Sequence, residues 1–208
     1  MDEDIENEER INMIILGDSS VGKSSFIIRY TENQFQDEYL ATIGIDFRIV
    51  TKKIRERQYK LFFYDTMGQE KYKSVALNII KLAEGVILIY DITNGKSFDS
   101  IPNWIEKIQN VKGNKFPLIL CGNKVDEIDK RQVSIKEGEE LANKFKIKFF
   151  ETSNKDGTNI DEAVLCIIDK ILYRRQHGNL DLNSSKSSTK LSRRSAKSVK
   201  LDHSKKCC

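Results

Sequence analysis

The chain predicts a single α/β domain, a six-stranded and mostly parallel sheet covered by helices on both faces, followed by an irregular tail. Three observations carry that expectation. Short apolar runs at 11–16, 86–90, 118–121 and 147–150 are separated by stretches of helical period. Strands alternating with helices imply crossover connections and a parallel sheet shielded on both sides. Two further alternating runs, 45–54 and 59–64, are joined only by the short charged Arg55-Glu56-Arg57-Gln58, which predicts a hairpin and hence one antiparallel edge strand.

Taken in order, the strand 11–16 leads through a glycine-bearing loop into a helix from 22 to about 31. Residues 31–43 are polar, lack a period and carry isolated aromatics, so they read as a loop. After the hairpin and the strand 86–90, a helix sets Phe98, Ile101, Ile105, Ile108 and Val111 on one face, with Pro102 in its first turn. Another helix covers about 135–145. The last runs from about 160 to 173, with Ile160, Val164, Ile167, Ile168 and Ile171 inward and a Thr158-x-x-Asp161 box at its start. From about 178 the pattern stops. A Ser/Lys/Arg-rich segment with few apolar residues predicts disorder. The expected organisation is an acidic extension 1–9, a domain 10–174 and a basic tail 175–208.

At 208 residues the chain has room for one ordinary domain and a tail. No apolar run approaches the ~18 residues of a membrane span, and Met1-Asp2-Glu3-Asp4-Ile5-Glu6 is acidic where a secretory leader is basic. Synthesis in the cytosol is expected. Cys121 and Cys166 lie in apolar runs and read as small buried hydrophobes. His177 and His203 fall at or beyond the domain edge, which removes both as catalytic bases. Net charge is +4, yet residues 183–208 alone carry +7, leaving −3 on the rest. A mildly acidic body argues against a nucleic-acid-binding face, and the basic end calls for an anionic partner.

The chemistry starts at Gly17-Asp18-Ser19-Ser20-Val21-Gly22-Lys23-Ser24, with Ser25 following. A Gly-x-x-x-x-Gly-Lys-Ser loop between strand and helix is built to hold the phosphates of a nucleoside triphosphate. Glycines at 17 and 22 let backbone N–H groups face phosphate oxygens, and the helix start adds the positive end of its dipole. Lys23 brings a charge to the terminal phosphates, and the Ser24 hydroxyl can ligate magnesium. Asn123-Lys124-Val125-Asp126 follows a buried strand, at the carboxyl edge where ligands sit in parallel sheets. Asp126 there can accept from N1–H and the 2-amino group of guanine, donors that adenine lacks. Thr152-Ser153-Asn154-Lys155 ends the next strand and can close over the base. Asp65-Thr66-Met67-Gly68-Gln69-Glu70 ends another: Asp65 is placed to hold magnesium through water, the Gly68 N–H to meet the γ-phosphate, and Gln69 to orient an attacking water. Thr42, in the loop before the hairpin, is the remaining hydroxyl able to reach magnesium.

These segments together resemble the small GTPases of the Ras superfamily over roughly 10–174. Within it, Ile43-Gly44-Ile45-Asp46-Phe47, Leu88-Ile89-Tyr90-Asp91-Ile92-Thr93 and the terminal Cys207-Cys208 are most similar to the Rab branch. The resemblance implies the P-loop GTPase fold, GTP/GDP with Mg2+, Phe35 stacked on guanine, Tyr39 over the phosphates, and Thr42 and Gln69 in two switch loops. It also implies exchange factors, activating proteins, a dissociation inhibitor and effectors as partners, with a role in vesicle traffic. Lys205-Lys206-Cys207-Cys208 lacks the Cys-a-a-X form and resembles Rab ends that receive two geranylgeranyl groups. That end implies cycling between cytosol and the cytoplasmic face of a membrane.

Some positions depart from the family pattern. Met67 and Asn154 stand where alanine is usual, Tyr64 replaces the tryptophan before Asp-Thr, and Ile79-Ile80-Lys81-Leu82-Ala83 replaces Tyr-Tyr-Arg-Gly-Ala. Met67 bears on the hydrolysis rate. Asn154 bears on nucleotide retention: a larger polar side chain there either crowds the base loop and shortens nucleotide residence or adds a contact to it. The competing readings are a GTP-dependent tether with negligible hydrolysis, and an ATP-dependent kinase. Asp126 and the lack of an arginine-rich lid argue against the kinase.

Overall fold

The computed structural model describes residues 9–35, 45–66 and 73–192. Six strands form one sheet in the order β2-β3-β1-β4-β5-β6. They are β1 (Glu9–Leu16), β2 (Ile45–Ile54), β3 (Arg57–Thr66), β4 (Gly85–Asp91), β5 (Leu118–Asn123) and β6 (Lys148–Thr152). Only the edge pair β2/β3 is antiparallel; every other neighbouring pair is parallel. This is the mixed sheet that the alternation of strands and helices predicts. β1 lies between β3 and β4, so the chain reverses its direction of winding there, and the carboxyl end of β1 opens onto the crevice of the sheet.

Seven of seven residues of β4 and six of six of β5 are buried, so both faces of these strands are covered and their sequences read as continuous apolar runs. On one face, Ile14, Leu16, Leu88 and Tyr90 pack with Ile101, Ile105 and Ile108 of α4 (Ile101–Lys112) and Ile80 of α2 (Lys73–Leu82). At Gly85 a Cβ would stand 2.7 Å from Ile171 Cδ1 and 2.9 Å from Ile167 Cγ1, so α6 (Ile160–Ser192) seats on β4 closely enough that a side chain at 85 would force both isoleucines to shift. Cys121 is fully buried, and burial pushes its thiol pKa far up; Cys166 is half-buried.

Three local readings differ from expectation. The hairpin turn is only Arg55-Glu56, both in the left-handed region (φ 47° and 66°), and Arg57 and Gln58 already pair with Ile54 and Lys53. A two-residue turn with positive φ twice matches the strand twist, and neither residue is of the type that announces it. The predicted helix through 98–111 is two: α3 (Gly95–Asp99), capped by Asn94 Oδ1 accepting from Lys96 N at 3.1 Å, and α4. Pro102 has no N–H for a continuous ladder, so it sits in the first turn of a new helix. The Thr158 hydroxyl donates to Asp156 Oδ1 at 2.5 Å rather than capping a box with Asp161. Among the described residues a capping box forms at α5 (Ile135–Phe145), where Ser134 and Glu137 satisfy each other's backbone N–H.

The chain divides into two compact units, 1–171 and 172–208. In the second, Tyr173 stacks on His177 with ring centroids 4.1 Å apart. Helical backbone is present through Ser192, past the expected end at 173 and into the stretch expected to be disordered.

Candidate functional site

The loop 17–22 joins β1 to α1 (Lys23–Glu32). Its backbone takes positive φ at Gly17 (145°), Ser20 (64°) and Gly22 (98°). A Cβ at Gly17 would lie 2.1 Å from the carbonyl oxygen of Ile89, and one at Gly22 would lie 2.5 Å from Asn123 Nδ2. Glycine is thus required at both positions by space as well as by φ. α1 begins without a side-chain cap and without an acidic residue in its first turn. An uncapped helix start with a lysine at its first position is an anion site by its donor set.

Lys23 is 6 % exposed and donates from Nζ to the Asp18 carbonyl oxygen at 2.6 Å. Burial pushes its pKa down to about 8, against the upward pull of Asp65 and Asp18. Asp65, at the end of β3, is itself buried. A buried ammonium beside a buried carboxylate, with Ser24 next along the helix, is a donor set that fits a magnesium–phosphate group. The Asp18 side chain is turned elsewhere: it accepts from Trp104 Nε1 at 2.9 Å and from Ser100 Oγ. Only the main chain of Asp18 is therefore offered to the loop.

The low Lys23 pKa has a testable consequence. Between about 8 and 10.5 the unfolded chain binds more protons at this lysine than the folded one, so stability rises with pH across that window. A bound phosphate favours the ammonium. GDP binding at about pH 8.5 should then take up protons, and affinity should fall as pH rises further. Calorimetry in two buffers of different ionisation enthalpy reads the uptake; identical heats would refute it.

At the far end of the crevice, Asn123 is fully buried and bridges elements: its Nδ2 donates to the Val21 carbonyl at 2.8 Å, and its Oδ1 accepts from Thr152 Oγ1 at 3.3 Å. Lys124 is in the left-handed region (φ 70°) and pairs with Asp91 Oδ2 at 2.6 Å. Asp126 Oδ1 accepts from Ser153 Oγ at 2.7 Å, and the same Ser153 oxygen accepts from the N–H groups of Lys155 and Asp156, each at 3.2 Å. Residues 123–126 and 152–155 thus form one cluster, tied through Val21 to the phosphate loop.

Of the two readings of Asn154, the structure shows an added contact: its Nδ2 donates to the Gly22 carbonyl at 2.9 Å. Phe35 is exposed at the end of a described segment. Tyr39, Thr42, Met67, Gly68, Gln69, Cys207 and Cys208 lie outside the described residues.

Sequence reasoning missed three supports. Asp91 aims Lys124 and also accepts from Thr93 N and Oγ1 at 2.8 and 2.7 Å; a carboxylate closing an apolar run was its one available signal. Arg29 donates from Nε to the Asn154 carbonyl at 2.6 Å and from Nη2 to that of Lys155, with nothing local to announce it. Arg131 forks onto both oxygens of Glu151, just before the base loop.

A phosphate loop at the carboxyl end of β1 and an Asn-Lys-x-Asp cluster at the carboxyl end of β5 define a P-loop GTPase. The sequence model of the Ras family matches residues 12–173, and the chain belongs to that family. Among its relatives are Rab proteins: "Ras-related protein Rab-8B" of Pongo abelii is 41% identical over 172 residues, 83% of either chain. "Ras-related protein Rab-13" of Rattus norvegicus is 42% identical over 177 residues, covering 85% of this chain and 87% of its own. "GTP-binding protein yptV2" of Volvox carteri is 38% identical over 175 residues, 83% of this chain and 81% of its own. The protein is a Rab-family small GTPase.

Proposed function

We propose that the protein is a membrane-anchored switch in vesicle trafficking that recruits effectors while GTP is bound. The observation that carries the reading is the buried Lys23 ammonium at an uncapped helix start, with the Asp126 carboxylate held by the Ser153 hydroxyl across the crevice. In this reading the loop 17–25 wraps the phosphates, Phe35 and Tyr39 cover the nucleotide, and Asp126 accepts from guanine. Asn123, Lys124, Ser153, Asn154 and Lys155 frame the base. Ser24, Thr42 and Asp65 would hold magnesium, which when bound neutralises charge on the β- and γ-phosphates. Gln69 orients the attacking water, and Thr42 and Gly68 relax once the γ-phosphate is gone. Exchange factors, activating proteins and a dissociation inhibitor are the regulators this cycle needs.

Among the described residues no helix is long and apolar enough to cross a membrane. The proposed anchor is instead a pair of geranylgeranyl groups on Cys207 and Cys208, since one lipid chain binds marginally and a second signal stabilises it. The basic tail adds on the order of 1 kcal/mol per cation at an anionic surface, screened within about 8 Å at physiological salt. Replacing both cysteines by serine should leave a folded, GTP-binding protein that fractionates with cytosol, and replacing one should give partial, reversible association. A double variant that stays on membranes in high salt would refute the anchor.

A further inference from the structure

Two asparagines hold adjacent carbonyls of the phosphate loop. Asn123, from the end of β5, donates to Val21 at 2.8 Å, and Asn154, just past β6, donates to Gly22 at 2.9 Å. Gly22 makes room for both, because a Cβ there would stand 2.5 Å from Asn123 Nδ2 and 2.6 Å from Asn154 Nδ2. The amide of Asn154 can face this way round only, since a carbonyl accepts and never donates. The second tie therefore exists because residue 154 is asparagine. An alanine would supply no side-chain donor.

The burial of this amide shows what it is for. Asn154 is 4 % exposed, and its Oδ1 has no hydrogen-bond partner among the described residues. A buried carbonyl oxygen left unpaired opposes folding, whereas a methyl group in the same place would bury nothing polar. For the fold alone the asparagine is the poorer residue. What it contributes is the link to Gly22.

A second grip acts on the same loop from the other end of α1. Arg29 forks onto the main-chain carbonyls of Asn154 and Lys155, and its Nη1 reaches the Asn33 carbonyl and Oδ1, both at 3.2 Å, which steadies the guanidinium. The helix that begins at the phosphate loop thus holds the base loop at both of its ends.

We propose that Asn154 and Arg29 form a brace that fastens the base loop to α1 and sets the residence time of bound guanine nucleotide. The proposal rests on the assignment of 17–24 and 123–126 as the nucleotide site. A ligand that spans two loops leaves when either swings away, so bonds present in the closed form and broken in the open form slow release. They do little to the encounter, and the effect falls on the dissociation rate.

The test uses full-length protein loaded with fluorescent GDP and chased with unlabelled GDP in a stopped-flow instrument, with association measured separately. Asn154→Ala should release about fivefold faster, the loss of one neutral hydrogen bond, with association changed by less than about twofold. Asn154→Asp should release faster than the alanine variant, because an isosteric carboxylate sets an acceptor against the Gly22 carbonyl. Arg29→Lys should release about tenfold faster than wild type, since one ammonium cannot fork to two carbonyls. A merely structural role would treat the alanine and aspartate variants alike and depress association as well. Slower or unchanged release from Asn154→Ala, or an aspartate variant no faster than it, overturns the brace. Asp126→Asn keeps the two ideas separable. If it fails to shift preference from GTP to XTP, the nucleotide-site assignment has failed; if it shifts while the 154 and 29 variants release like wild type, only the brace has failed.

Discussion

Asp126→Asn is expected to lose GTP affinity by a factor on the order of 10³ and to gain affinity for XTP. A carboxylate accepting from both N1–H and the 2-amino group of guanine makes two charge-assisted hydrogen bonds, and losing such a matched pair leaves polar groups unpaired in the site. The geometry also fixes which atom of the new amide would face the ligand. Ser153 Oγ lies 2.7 Å from Asp126 Oδ1 and donates to it. In the variant the amide oxygen keeps that bond, which directs the amide nitrogen to where the second carboxylate oxygen stood. A donor at that point suits the 2-carbonyl of xanthine and opposes the 2-amino group of guanine. Competition of GTP, XTP and ATP against fluorescent GDP reads the change. An unaltered ratio of GTP to XTP would remove Asp126 from base recognition, and strong competition by ATP in the wild type would reopen the kinase reading.

The sequence was legible where a residue's job is local. β4 and β5 are buried on both faces, so their runs are apolar throughout, and the glycines at 17 and 22 reveal a loop that needs positive φ. Asn-Lys-x-Asp was readable because a strand end fixes its place. What stayed hidden depends on partners far along the chain. Arg29 and Asn154 are 125 residues apart, and Trp104 and Asp18 are 86 apart; no local pattern marks either pair. Local reading also failed where context overrides preference. Arg55 and Glu56 accept the left-handed conformation because the register of β2 on β3 leaves two residues for the turn. Asn154 illustrates the hazard best. Judged by size it should crowd the loop; judged by its partner it ties the loop to Gly22.

Gln69→Leu is expected to slow GTP hydrolysis by about 10²-fold while leaving GTP affinity nearly unchanged. Its proposed part is to orient the attacking water, an arrangement realised as the transition state is approached, and a nucleophile displaced by about 1 Å costs a factor of that size. In the proposed reading affinity rests instead on groups anchored elsewhere: the buried Lys23, the loop held by Asn123, and Asp126 seated on Ser153. Asp65 is a buried carboxylate near the end of β3, whose last residue is Thr66, and Gln69 comes three residues later in the sequence, so the substitution touches no residue of the sheet. Single-turnover hydrolysis with and without an activating protein is the measurement, beside GTP affinity from a titration. Met67 makes the wild-type rate as informative as the variant's. A methionine where alanine is usual adds a long flexible side chain two residues before Gln69. If wild type and Gln69→Leu hydrolyse equally slowly even with an activating protein, the switch reading loses to the tether reading. Met67→Ala then identifies the cause, because recovery of hydrolysis assigns the defect to the methionine and no recovery clears it.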